Sequence, residues 1–204
     1  VKTTKKKVDS IYKVTKLHKK ARLMNLIGID SGSAKSGVAI VTNGEIERGM
    51  VIPNDILLYK IMNGEFSGYT IIVEDLRAYS VRLSQDLINT AKFIGKLEYI
   101  LAQVGLPPVM VERVKIKKMV YDKYPSAENE VNDKIRQRGK MTATGDFRKP
   151  SMIYVCDRVV ANAMRYFWEL PQGQGKRNKL GLATHSWQAL ALCSYIMFLE
   201  NESL

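Results

Sequence analysis

Two acids and a short cluster near the C-terminus are the residues whose types and spacing could do chemistry. Asp30 closes the apolar run "NLIGID", and Glu74 falls at the end of "GYTIIVED". In "ATHSWQALALCSYI", His185 and Gln188 are three residues apart and so share one helix face. If the strands ending in Asp30 and Glu74 are parallel neighbours, both carboxylates leave the sheet at one edge. Hard oxygen ligands placed that way suit Mg²⁺ or Mn²⁺. Two such ions, about 3.5–4 Å apart, activate water and stabilise the leaving oxygen of a phosphodiester. The last helix would bring His185 and Gln188 over the same point. Singly, each signal has an ordinary reading: an acid at a strand end as a turn residue, a His on a first turn as a polar cap. Their order along the chain is what makes them a candidate site.

The elements that must position them can be read from periodicity. "NLIGID" is a buried strand and "SGSAKSG" a turn. "VAIV" and "IERGMVI" flank "TNGE", where Asn43-Gly44 between two apolar runs is a hairpin signal, because both central residues must take φ > 0. "GYTIIVED" is a further buried strand. Leu83, Leu87, Ala91, Ile94, Glu98 and Leu101 predict a helix over 82–103, and "PPVMVERV" a fifth short strand. Residues 115–149 turn polar and read as a mobile basic insert with one short helix. Met152, Val155, Cys156, Val159, Val160, Ala163, Met164, Phe167 and Trp168 predict an amphipathic helix. "PQGQGKRNKLG" is a loop, and Thr184 is placed to cap a last helix ending near Glu200. The fold class is α/β: a mixed five-stranded sheet, antiparallel over its first three strands and parallel beyond, with helices on its faces.

Composition bounds the partners. The chain has 204 residues, 46% hydrophobic, with a net charge of +12, which favours a polyanion such as nucleic acid. Residues 1–22 hold nine Lys/Arg and one acid, so the surplus is concentrated in an N-terminal arm, set at 1–24. That arm reads equally as a phosphate-binding segment or a solubilising leader, with His18 as one more polar residue. The rest, 25–204, reads as one domain. Between Arg113 and Lys149 there are eleven Lys/Arg against five acids. No apolar run approaches the roughly 18 residues of a membrane span, and no apolar segment of signal-peptide type follows the basic start. Cys156 and Cys193 lack metal-site spacing and read as buried free thiols.

"NLIGIDSGSAKSGVAIV" resembles the first hairpin of RuvC-type Holliday junction resolvases, a branch of the RNase H-like nucleases. The family's Asp falls on Asp30 and its glycine turn on Gly32 and Gly37. "TIIVEDLRAYS" is similar to the second acidic strand, with the family's Glu at Glu74, and "QDLINTAKFIGKLEYIL" to the helix after it. "VMVERVKIKKMV" resembles the next strand and its lysine-bearing exit, which puts Lys115, Lys117 and Lys118 near DNA. "RKPSMIYVCDRV" resembles a helix that opens on the substrate side, which adds Arg148 and Lys149. "THSWQALAL" is similar to the last helix with its His-x-x-Asp-Ala, so His185 matches and Gln188 stands where the Asp belongs. The resemblance spans about residues 25–200. It implies catalytic and metal-binding roles for Asp30, Glu74, His185 and Gln188, with two Mg²⁺ (or Mn²⁺) ions. It also implies a homodimer that symmetrically nicks branched DNA, with no nucleotide cofactor and no membrane. A divergent, phage-like member would work in the cytoplasm, at the nucleoid or in a host cell.

Gln188 leaves three accounts open. It could be a neutral ligand through its carbonyl oxygen. It could stand for a natural Glu in an inactivated variant. Or the protein could bind junctions without cutting them. Asp75 is a substitute acid that alternation turns away from Glu74, and Asp146 is another, within the insert. Competing classes are an RNA-processing nuclease of the YqgF type, though the arginine expected soon after the first Asp is missing, and an actin-like phosphate-binding ATPase. The loop "GIDSGS" suits the latter, but the length leaves no room for its second domain.

Overall fold

A computed structural model describes residues 24–76, 84–142, 144–170 and 180–202. The basic arm and His18 lie outside the described residues, as do Leu83 and residues 171–179 of the glycine-rich loop.

β1 (Leu26–Asp30), β2 (Lys35–Thr42), β3 (Glu45–Pro53), β4 (Thr70–Asp75) and β5 (Val109–Glu112) form one sheet in the order β3-β2-β1-β4-β5. β1 pairs antiparallel with β2 and parallel with β4, and β4 pairs parallel with β5. The β2–β3 turn has positive φ at Asn43 (52°) and Gly44 (76°), as the Asn-Gly pair predicts. β1 is buried along its whole length because helices cover both faces of the sheet.

Strand alternation divides the core in two. Ile27, Ile29, Val38, Ile40, Ile71 and Val73 face α1 (Asn54–Met62) and α2 (Gln85–Gln103). Leu26, Ala39, Val41, Ile72 and Val111 face a larger cluster. That cluster is built from α3 (Arg113–Lys123), α4 (Ala127–Gln137), α5 (Asp157–Phe167) and α6 (Thr184–Glu202). Among the described residues no helix is long and apolar enough to cross a membrane. Both cysteines are free; Cys193 is buried and Cys156 half-buried.

Five helices differ from the sequence reading. α1 was not expected. It buries Leu57, Leu58 and Ile61, but Ile56, Tyr59 and Met62 are exposed on its other side, so its apolar stripe is blurred. The segment expected as an insert with one short helix instead carries α3 and α4. Each reaches the core through few side chains, Ile116, Met119 and Val120 in one and Ala127, Val131 and Ile135 in the other. The helix expected from Met152 starts at Asp157, after a 3₁₀ turn over Met152–Tyr154. Val155 is buried although its backbone is extended (φ −60°, ψ 117°), so the apolar spacing runs on across a break in the helix. Finally, α6 begins at Thr184 itself. The cap position falls to Ala183, whose N–H donates to Ser186 Oγ (2.7 Å), half of a capping box.

Candidate active site

Asp30 and Glu74 share the parity of Leu26 and Ile72, so both point to the α6 side of the sheet. β1 and β4 are adjacent and parallel, which brings the two strand ends together. Both side chains are buried. Asp75 has the opposite parity, that of Val73.

His185 reaches Asp30 because α6 lies directly on the sheet. Gly37 pairs with Asp30 across β1–β2. A Cβ at Gly37 would overlap the His185 backbone, and one at Gly28 would overlap the carbonyl of Ala189, one helical turn further on. With both positions lacking side chains, the helix backbone settles onto the strands. His185 Nδ1 then lies 2.8 Å from Asp30 Oδ2. In the neutral tautomer with its proton on Nδ1, the ring donates to Asp30 and keeps a lone pair on Nε2. The imidazole is mostly exposed while Asp30 is not.

The turn behind Asp30 is held by α1. Asn54 Nδ2 donates to the Gly32 carbonyl (3.0 Å), the Asn54 N–H donates to the Ala34 carbonyl (3.0 Å), and Ser36 Oγ donates to Asn54 Oδ1 (2.7 Å). One side chain therefore pins both ends of the 31–36 segment.

The electrostatics are those of two carboxylates forced together away from water. Burial pushes Glu74 up to about 8, against the pull of Arg113, with the charge of Asp30 and a hydrogen bond to it adding to the rise. Burial also raises Asp30, countered by the hydrogen bond from Glu74 and by Arg113. The two therefore titrate as a pair, with Glu74 donating a hydrogen bond to Asp30. Arg113 is the resident counter-charge. Its guanidinium lies 3.5 Å from Glu74 and 3.1 Å from Asp157, the first residue of α5.

Arg113 and Asp157 escaped the sequence reading. Arg113 directly follows β5 and reads as part of that strand, and Asp157 reads as one polar position of a longer helix. A break before Asp157 would have marked it as a first-turn acid.

Gln188 is buried, and its Nε2 has no hydrogen-bond partner, so the amide donates to neither carboxylate. Among the described residues one other buried side-chain polar atom lacks a partner, Ser31 Oγ, next to Asp30 in the chain. Both orphaned atoms thus belong to residues beside this site in sequence. An orphaned N–H or hydroxyl is a place that a water can complete. Among the described residues no group of three or more His, Cys, Asp or Glu forms a ready ion cage. Mg²⁺, however, is ordinarily held by one or two carboxylates and completed by water and substrate phosphate. The donor set fits that description.

Of the expected DNA-binding residues, Lys117 is half-buried and electrostatically tied to Arg113, Asp157 and Glu74. Lys115 is exposed on the same helix, and Lys118 pairs with Asp122 (2.9 Å). Arg148 is exposed and donates to the Met141 carbonyl and to Tyr154 Oη (both 3.2 Å), and Lys149 is exposed. Asp146 sits in an exposed turn, accepting from Thr144 (3.1 Å).

No protein-family model matches the chain, and no curated protein matches it. Solved structures do. Thermus thermophilus RuvC superposes with a TM-score of 0.55 at 14% identity, covering 88% of this chain and 97% of that one. T. thermophilus RuvC in complex with a Holliday junction substrate gives 0.54 at 13%, covering 87% and 96%. The fold is the RNase H-like fold of RuvC. At this identity the likeness establishes the architecture alone.

Proposed function

We propose that the chain is a metal-dependent endonuclease that nicks four-way or otherwise branched DNA by phosphodiester hydrolysis, acting as a homodimer. The observation that carries this reading is the buried Asp30–Glu74 pair at adjacent parallel strand ends, with His185 bonded to Asp30. Support for branched DNA comes from the RuvC likeness, one member of which holds a Holliday junction substrate, and from the net charge of +12.

Asp30 and Glu74 would hold one or two Mg²⁺ or Mn²⁺ ions, with the Gln188 carbonyl oxygen as a neutral third donor. Bound there, the ions would lower the pKa of water and offset charge on the scissile phosphate. Glu74 must give up its proton for this, which the nearby positive charge favours. Asp30 fixes the His185 ring through Nδ1 and leaves Nε2 as a base that accepts a proton from the attacking water. That water forms the new P–O bond as the bridging P–O bond breaks. Arg113 is placed to move from Glu74 to the phosphate as charge develops.

A single-turnover cleavage assay on four-way junction, duplex and single-stranded DNA, with and without Mg²⁺, tests the proposal. Junction nicking that needs the ion and disappears in Asp30→Asn, with binding retained, is the expected result. Equal cutting by parent and Asp30→Asn would remove this site from the reaction.

A second reading, junction binding without cleavage, is favoured by one observation. Arg113 already places a positive charge beside Glu74, and Gln188 adds no charge. Junction affinity without nicking in either Mg²⁺ or Mn²⁺ would decide for it.

A further inference from the structure

Arg113 and Asp157 also line a cavity of about 470 Å³. Two helices build its basic wall. On α3, Arg113 and Lys117 are four apart and share a face; on α4 and its cap, Lys134 and Arg138 do the same. Gly139, at φ +57°, reverses the chain, and Lys140 then joins them. Like charges four apart on a helix repel. Lys118 on the outer face of α3 has its acid, Asp122. Among the described residues Lys117, Lys134, Arg138 and Lys140 have no such ion pair, and the one acid lining the cavity, Asp157, is held by Arg113. Burial and the Arg113 charge lower Lys117, with Asp157 and Glu74 pulling the other way. The 3₁₀ turn also lines the cavity, with Tyr154 and an exposed Ile153.

Four unpaired cations against an aromatic wall describe a ligand with a phosphate and a flat ring. The volume lies in the range that encloses a ligand of nucleotide size. Paired duplex DNA keeps its bases stacked and cannot fill such a recess, whereas an unpaired nucleotide can be splayed into it and stack on an aromatic ring. We propose that this cavity is a nucleotide subsite: it takes one unpaired nucleotide, phosphate toward Lys134, Arg138 and Lys140 and base toward Tyr154. The nucleotide belongs to the strand that passes Asp30 and Glu74, an assignment that rests on the nuclease reading. The subsite itself does not.

The test is equilibrium binding of a 5′-phosphorylated tetranucleotide in EDTA, so that cleavage plays no part. The combined Lys134→Ala, Arg138→Ala and Lys140→Ala variant should bind at least tenfold more weakly. Its log–log salt slope should be smaller by about 0.7, the value for one lost single-strand phosphate contact. Tyr154→Ala should weaken binding several-fold with the slope unchanged. Arg138→Ala alone, at an exposed position, should cost about threefold and serves if the triple variant does not fold. Parental affinity in the variants overturns the proposal. So does inorganic pyrophosphate or a free mononucleotide that competes as well as the tetranucleotide while Tyr154→Ala is silent, since the cavity would then be a polyphosphate site. A protein that binds the tetranucleotide through these residues yet never cuts a junction keeps the subsite and refutes the nuclease.

Discussion

Gly37 and His185 are in backbone contact: a methyl group at position 37 would overlap the His185 main chain and Cβ. Gly37 also faces Asp30 across the β1–β2 ladder. The absence of one side chain thus sets the distance between α6 and the carboxylate that His185 serves. Gly37→Ala must push the first turn of α6 outward. Overpacking of this kind costs about 1–3 kcal/mol, and the 2.8 Å His185–Asp30 hydrogen bond should be lost first. The expected outcome is a fall in junction cleavage of tenfold or more with junction affinity nearly kept, measured by single-turnover kinetics and by binding in EDTA. Gly28→Ala, which meets the Ala189 carbonyl one turn further on, is the control for general helix displacement. Equal effects of the two on cleavage would mean that Gly37 has no special link to the site.

Glu74 gives a pH dependence whose sign is fixed. Its folded value, about 8, lies above the ordinary 4.5. In the metal-free protein the unfolded chain therefore loses this proton first as pH rises. Stability is then full below about 4.5 and declines until pH passes about 8. Glu74→Gln removes that loss. The variant should be more stable than the parent near pH 8 by on the order of 1–3 kcal/mol, and the two should converge near pH 4. Adding Mg²⁺ should raise the stability of the parent at high pH and leave Glu74→Gln nearly unmoved. Denaturant unfolding at several pH values reads both effects. A parent that grows more stable from pH 5 to 8 in EDTA would contradict the buried-pair account.

Much of this was legible in the sequence, for identifiable reasons. β1 and β4 are apolar runs ending in acids, and Asn43-Gly44 favours a tight turn, so the sheet and the edge that carries Asp30 and Glu74 follow from local pattern. His185 and Gln188 follow from helix spacing. What local pattern cannot carry is charge pairing across the fold. Arg113 and Asp157 are 44 positions apart and meet where the first residues of α3 and α5 are brought together. Nor does period 3.6 reveal a helix such as α1, whose exposed face is nearly as apolar as its buried one. The interruption at Cys156 was hidden because the side chains keep their inward spacing while the backbone leaves the helix.

Asn54, in a helix the periodicity did not reveal, should matter to catalysis through position alone. Its amide holds the Gly32 carbonyl and receives Ser36 Oγ. Asn54→Ala leaves both without that partner at a cost of about 1–3 kcal/mol, and it frees the turn that follows Asp30. The expected result is a lower kcat with the Mg²⁺ midpoint shifted upward and junction affinity in EDTA unchanged. Asn54→Asp, which can still accept from Ser36, should recover part of the stability but not the bond to Gly32. If Asn54→Ala loses only stability and cuts normally below its unfolding temperature, the turn does not position Asp30.

Arg113 bears on whether a cation is wanted at this edge. It supplies positive charge 3.5 Å from Glu74, so it would compete with a metal ion proposed for the same carboxylate. Arg113→Gln should lower the Mg²⁺ concentration needed for half-maximal binding, read by isothermal calorimetry without DNA. The same variant should cut junctions more slowly, because the phosphate loses its cation. A raised Mg²⁺ requirement would mean that Arg113 organises the metal site rather than standing in for it.

Gln188 provides the last test. It is buried on α6, three positions after His185, with an unpartnered amide nitrogen, and as a neutral residue it would leave the proposed site with two carboxylates against as much as +4 from two ions. Gln188→Glu or Gln188→Asp adds a charge in a partly desolvated place, where attraction to a cation is stronger than in water. At an effective dielectric near 20 a unit charge about 4 Å from a divalent ion is worth several kcal/mol before desolvation is subtracted. A Mg²⁺ midpoint at least tenfold lower and faster junction cleavage are the expected outcomes, with DNA affinity unchanged at fixed salt. Without Mg²⁺ the acidic variants should be less stable than the parent, since a third buried carboxyl joins the first two. His185→Ala should slow cutting in every background, because Asp30 would then have no imidazole to orient. Cleavage rate against Mg²⁺ concentration, measured for the parent and all three variants, decides it. Acidic variants no better than the parent, together with a silent His185→Ala, would mean that α6 does not complete a catalytic centre and that the chain binds junctions without cutting them.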